Sequence, residues 1–150
     1  MNNLIYVLAA VVIGIGVSLQ PPINSVMARS LNSPLFSACI SLFISVNAAA
    51  VLWLLLDKGN TELAQIRALP WWVICGGLIG LLFVAGSIVV APVTGIALFF
   101  VCVVAGQLIG ASVMDQFGLF GLPVKSINIT KLIGLLLVIA GAVLVQTSNS

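Results

Sequence analysis

Long apolar runs alternate with short polar breaks along this chain, and its few charged residues mark where the breaks fall. An ionised side chain at the centre of a bilayer costs about 2.5 to 3.5 kcal/mol on insertion scales, so uncharged runs are the natural spans. Such runs precede Arg29, join Arg29 to Asp57, join Arg67 to Asp115 and follow Lys131. One helical crossing needs about 20 residues, which makes the run from Arg67 to Asp115 long enough for two. Inside it, Ala91-Pro92-Val93-Thr94-Gly95 predicts a tight turn, because Pro removes a helix donor and Gly relaxes the chain. The pattern therefore predicts five helices, running approximately Leu4 to Ala28, Pro34 to Leu56, Trp71 to Val90, Thr94 to Met114 and Ile127 to Gln146. They are expected to form a single transmembrane domain over residues 1–150.

Composition sharpens this to an all-α integral membrane protein. Hydrophobic residues make up 62% of the chain and charged residues only 5%, where a soluble domain carries about a quarter. A mean hydropathy of +1.34 leaves too little polar surface to coat a water-soluble globule, so the lipid bilayer is the first expected partner. A net charge of +2 gives no basis for binding nucleic acid. The chain has no His, and Cys39, Cys75 and Cys102 are scattered in apolar runs without C-x-x-C spacing. No metal site, cofactor or disulfide framework is expected from them. Nucleophile and base pairs and phosphate-cradling loops are also missing, so no catalytic residue is assigned and an enzyme is not expected. The opening Met1-Asn2-Asn3 has no basic region ahead of the apolar run and is read as the start of the first span.

With five spans, the polar connections Asp57 to Pro70 and Asp115 to Ser126 share a side with the N-terminus. That side carries Lys58, Arg67, Lys125 and Lys131, and the opposite side carries Arg29. The positive-inside rule then predicts a cytoplasmic N-terminus and an external C-terminus. Tyr6, Trp53, Trp71, Trp72 and Phe117 would lie near the cytoplasmic interface, where amphipathic rings are favoured. Lys131, inside the last span, is expected to snorkel.

Within the spans, small residues recur at helical spacing: Ala10, Gly14 and Ser18, then Gly76 and Gly80, then Gly106 and Gly110. Such faces let helices approach closely in lipid, or slide between two states in a transporter. A sharper signal is Gln20-Pro21-Pro22-Ile23-Asn24, because consecutive prolines leave the carbonyls of Val17 and Ser18 without their helical amide partners. Pro21 and Pro22 therefore predict a helix break facing the bundle interior, or a simple end to the first helix. Amides at Gln20, Asn24, Asn47 and Gln107 are the strongest polar groups in the spans, joined by Ser18, Ser41, Ser45, Ser87 and Ser112. Each is either interhelical glue or a ligand contact; together they point to a shared polar cavity for a small-molecule substrate. Ser18, Gln20, Asn24, Asn47 and Gln107 are the candidate substrate-binding residues. No carboxylate lies deep in a span; Asp115, at the end of the fourth, is an interfacial residue or a possible coupling group.

These residues resemble a family, the half-size, five-helix YdcZ-like proteins of the drug/metabolite transporter (DMT) superfamily. The likeness rests on Gly14-x-Gly16 followed by Gln20-x-x-x-Asn24, and on Trp72-x-x-x-Gly76-Gly77-x-x-Gly80. It continues through Gly106-Gln107-Leu108 and Asp115-x-Phe117-Gly118-Leu119-Phe120-Gly121 to Gly134-Leu135-Leu136-Leu137 and Ala140-Gly141, covering nearly the whole chain. The resemblance implies transport of a small solute across the inner membrane by a half-transporter that pairs with a second copy or a related half. It further implies one half of an inverted-repeat design, in which an odd span number lets the second half enter from the other face. The absence of a carboxylate in the first helix departs from the four-helix multidrug members and argues against cationic drug antiport. A non-transporting accessory subunit is the alternative, needing packing faces but no solvated cavity.

Overall fold

The computed structural model of the chain describes residues 2–56, 66–67 and 69–148. Asp57 and Lys58, which the charge pattern assigns to the connection after the second span, lie outside the described residues. Five long helices account for most of the rest: α1 (Asn2–Leu31), α2 (Pro34–Leu56), α3 (Ile74–Thr94), α4 (Ile96–Phe117) and α5 (Ile129–Ser148). A short 3₁₀ turn, Trp71–Val73, leads into α3, and a second, Leu119–Gly121, follows α4. All five are long and apolar enough to cross a bilayer, and no strand occurs among the described residues. The apolar side chains of these helices are turned outward, with Leu4, Phe43, Leu82 and Leu137 all more than 60% exposed. Water would not tolerate that surface, whereas lipid does.

Two compact units are present, residues 1–92 and 93–150. In the first, α1 and α2 form a helical hairpin linked by Asn32 and Ser33. Asn32 adopts the left-handed conformation (φ 50°), and Ser33 donates its amide to the Ala28 carbonyl at 3.1 Å while Asn32 donates to Arg29 at 3.3 Å. This closes α1 with a Schellman-type cap. Ser33 then opens α2, its hydroxyl accepting the Phe36 amide at 3.2 Å ahead of Pro34 at the first helical position. Ala28, Ala38, Val84 and Ile88 form the core of this unit, with Leu42, Phe83 and Ala85 packed against it.

Two expectations about proline change here. The expected break at Pro21 and Pro22 does not interrupt the helix: α1 runs through both to Leu31. Prolines inside spans persist where neighbouring helices and hydroxyls re-satisfy the freed backbone, and Pro21 is fully buried. Likewise α3 carries Pro92 in its last turn, and the turn expected across residues 91–95 narrows to Gly95, whose φ of 83° is open to glycine. Pro92 strips the Ile88 carbonyl of its helical partner, and the Ser25 hydroxyl reaches that same carbonyl at 3.4 Å.

In the second unit, α4 ends at Gly118 (φ 59°), whose amide bonds back to Met114. The link to α5 is tied down by the Lys125 amide on the Asp115 carbonyl (2.8 Å) and the Ile127 amide on Gln116 Oε1 (2.7 Å). Asn128 caps α5, its Oδ1 accepting the Lys131 amide at 2.8 Å.

Candidate functional site

The polar residues of the first unit meet along one seam. On α1, Gly16, Gln20, Asn24 and Ala28 recur every four residues; Ser33, which caps α2, and Ser37, Ser41 and Ser45 on it do the same. Rows of this spacing are the ridges by which two helices interlock. Across the seam, Asn24 Nδ2 donates to Ser41 Oγ at 3.1 Å, and Ser37 Oγ donates to the Asn24 backbone carbonyl at 2.8 Å. Asn24 is 3% exposed and Ser37 is fully buried. These bonds satisfy polar groups that would otherwise be costly at membrane depth.

Beyond this bonded point the seam opens into a groove of about 430 Å³, lined by Gly16, Leu19, Gln20, Ile23, Asn24, Met27, Ser41, Ile44 and Ser45. That volume lies within the usual range of small-molecule sites, about 300 to 1,000 Å³. The lining is apolar with a few convergent polar groups, and no charged side chain is among them. Gln20 is half-buried in the wall, and its side chain makes no hydrogen bond to any described residue. Its amide therefore offers two donors and an acceptor to whatever enters.

The other sequence-derived candidates fall elsewhere. Ser18 donates to the Ile15 carbonyl of its own helix at 2.7 Å, and Asn47, exposed on α2, donates to the Phe43 carbonyl at 2.7 Å. Both bonds are local back-bonding within a helix. Gln107 is exposed on α4, in the second unit. Asp115 sits in the last turn of α4, where its Oδ2 takes the Lys131 ammonium at 2.8 Å. Lys131 is thus held by a carboxylate rather than snorkelling freely. Among the described residues no cluster of His, Cys, Asp or Glu could hold a metal ion.

Residues 5–144 match the family described as "Putative inner membrane exporter, YdcZ". The chain belongs to this family. It is similar to the inner membrane protein YdcZ of Escherichia coli (strain K12), with 29% identity over 150 residues and 97% of each chain covered. No solved structure matches it. Family membership together with the five apolar helices makes this a multi-pass inner membrane protein with a transport role. The motif Gln20-x-x-x-Asn24, which carried the likeness to the YdcZ family in the first span, lies in the groove wall, one residue free and the other bonded to α2.

Ser25 and Ser37 were not among the candidates, yet both are buried and hydrogen-bonded, Ser37 in the α1–α2 seam and Ser25 against Ile88 of α3. The signal for Ser37 was present in the sequence: Ser33, Ser37, Ser41 and Ser45 form a four-residue period that matches Gly16, Gln20 and Asn24 on the preceding helix. Ser25 had no such signal, because its partner carbonyl is exposed only by the distant Pro92.

Proposed function

We propose that this protein is a subunit of a secondary transporter that exports a small polar metabolite, neutral or zwitterionic, through a site built on the α1–α2 groove. The observation that carries this reading is Gln20: a half-buried amide in a groove wall, with no partner among the described residues, next to an amide that is bonded to α2. Asn24 organises the seam, and Gln20 meets the solute. The carbonyls of Val17 and Ser18, released by Pro21 and Pro22, add acceptors on the same helix. Gln107 on α4 is a further candidate amide for recognition, and Asp115 is the candidate carboxylate for ion coupling. Ser18 and Asn47 support the helices they sit on.

The working unit in this reading is a dimer, of two copies or of one copy with a related half, arranged as an inverted repeat. Its support is the set of glycines on α5: a Cβ built on Gly134 or Gly141 meets no described atom within 4 Å. They lie about two turns apart on one helix face, free to seat another helix. Cross-linking in native membranes across a lipid dilution series should yield a specific dimer that Gly134→Leu weakens; a monomer competent in transport would refute it.

An accessory subunit without transport is the second reading, favoured by the Asn24–Ser41 bond, which is what interhelical glue looks like. Replacing Gln20 or Gln107 by Leu separates the two. Insertion and dimer content should be preserved, since a polar group leaves lipid depth, while flux in liposomes falls where an amide had met the solute. Normal flux in both Leu variants would leave these amides without a role in recognition.

A further inference from the structure

A second cavity, of about 290 Å³, adjoins the seam near the end of α1 and is lined by Ser25, Arg29, Asn32, Pro34, Ile88 and Pro92 together with Ala28. Asn24 and Ser25 are consecutive and both buried; the first lines the groove and the second lines this pocket. Their side chains point about 100° apart on the helix, so the two cavities occupy adjoining faces of α1 within one turn. What distinguishes the second is charge. Arg29 is the sole charged residue in positions 1–56, and no described carboxylate pairs with it.

A guanidinium lining a concave site together with the Asn32 amide is suited to a planar anion. Its fork of N–H donors matches the two oxygens of a carboxylate, an arrangement an ammonium cannot reproduce. With one cation and no acidic group in the lining, the pocket balances a single negative charge; a phosphate dianion would be left half-neutralised. Its volume is at the lower end of small-molecule sites, which fits a solute of few heavy atoms.

We infer that the Arg29 pocket binds a carboxylate, and that the exported solute is a small zwitterion whose carboxylate lies at Arg29 and whose other polar groups are read by Gln20. The assignment of that solute as cargo rests on the transport reading above; the binding of a carboxylate at Arg29 does not. A lipid phosphodiester offers the same single negative charge, so the test must separate the two sources.

The chain has two arginines, and Arg67→Lys leaves Arg29 as the only one. The full-length variant is reconstituted in phosphatidylcholine vesicles, and phenylglyoxal modification of Arg29 is followed by mass spectrometry. Acetate and lactate, each beside its amide, serve as probes at constant ionic strength set with chloride. The carboxylates should slow modification by a factor that grows with concentration as 1 + [L]/Kd, about twofold at a concentration equal to Kd. Acetamide, lactamide and chloride should leave the rate unchanged. Equal protection by acid and amide, or none by either, overturns the inference. So does protection by phosphatidylglycerol alone with nothing added by lactate, which would give the pocket to a lipid headgroup. Protection in a chain that shows no flux would uphold the pocket and sink the transport reading; flux without protection does the reverse.

Discussion

The bond between Asn24 and Ser41 is the best-defined link across the α1–α2 seam, and a double-mutant cycle measures it directly. Asn24→Ala and Ser41→Ala each remove one partner, and the double variant removes both. The bond is 3.1 Å long, Asn24 is 3% exposed and Ser41 is half-buried in the groove wall. Hydrogen bonds between membrane helices average about 0.6 kcal/mol and reach about 1.7 kcal/mol. With its amide buried, this bond belongs in the upper part of that range, which gives a coupling energy of about 1 to 1.5 kcal/mol, or about 5- to 13-fold in the unfolding equilibrium. The Ser37 hydroxyl bonds to the Asn24 backbone carbonyl, which Asn24→Ala retains, so the cycle isolates the side-chain bond. Equilibrium unfolding in mixed micelles with a denaturing detergent, read by fluorescence of Trp53, Trp71 and Trp72, supplies the four free energies. Asn47→Ala paired with Ser41→Ala is the control, since the Asn47 amide bonds within its own helix and should add independently. A coupling below about 0.3 kcal/mol, inside the error of additivity, would mean that shape alone holds the seam.

Asp115→Asn breaks an ion pair whose Lys131 and Asp115 side chains are 30% and 33% exposed, so the thermal midpoint should fall only slightly, and by less still in high salt. Flux abolished at nearly unchanged stability would assign Asp115 to coupling, whereas parallel losses would make it structural. Gly118→Ala should cost more than Gly121→Ala, although both glycines have positive φ. At Gly121 an added Cβ meets nothing and only backbone strain of about 1 to 2 kcal/mol is paid, but at Gly118 it would sit 2.9 Å from Val124 Cγ2, adding about 1 to 3 kcal/mol of overpacking. Equal shifts in thermal midpoint would refute the crowding argument. Reporter fusions at Ser150 should show an external C-terminus; a uniformly cytoplasmic one contradicts the proposed orientation.

The five helices were readable in the sequence because lipid imposes a coarse rule, that charged residues stay away from the middle of the spans: Arg29 and Asp115 fall in the last turns of α1 and α4, and Arg67 precedes α3. The prolines were not readable in the same way. Whether Pro21 ends a helix depends on what satisfies Val17, and whether Pro92 does so depends on Ser25, a residue far away in sequence. Of the candidate site, Gln20 and Asn24 were recognisable as amides out of place in lipid, and they do share a groove. Which of them is free and which is bonded was fixed by α2, through the position of Ser41. Asn47 looked equivalent by composition, yet its amide folds back on Phe43, a local choice that residue type alone does not reveal.

Because the polar groups of α1 and α2 meet across a link of only Asn32 and Ser33, the two helices are suited to entering the bilayer together during synthesis. A solitary α1 would present Gln20, Asn24 and the carbonyls freed by Pro21 and Pro22 to hydrocarbon. Paired, it hides Asn24 against Ser37 and Ser41 before any later helix exists. In the proposed orientation the hairpin tip must carry Arg29 across, a barrier of about 2.5 to 3.5 kcal/mol set against gains of about 0.3 to 0.6 kcal/mol for each Leu, Ile, Phe or Val delivered to the core. Two helices bring enough of those residues to make that passage favourable, so the serine row on α2 serves biogenesis as well as the finished protein: it lets the nascent chain fold as it inserts.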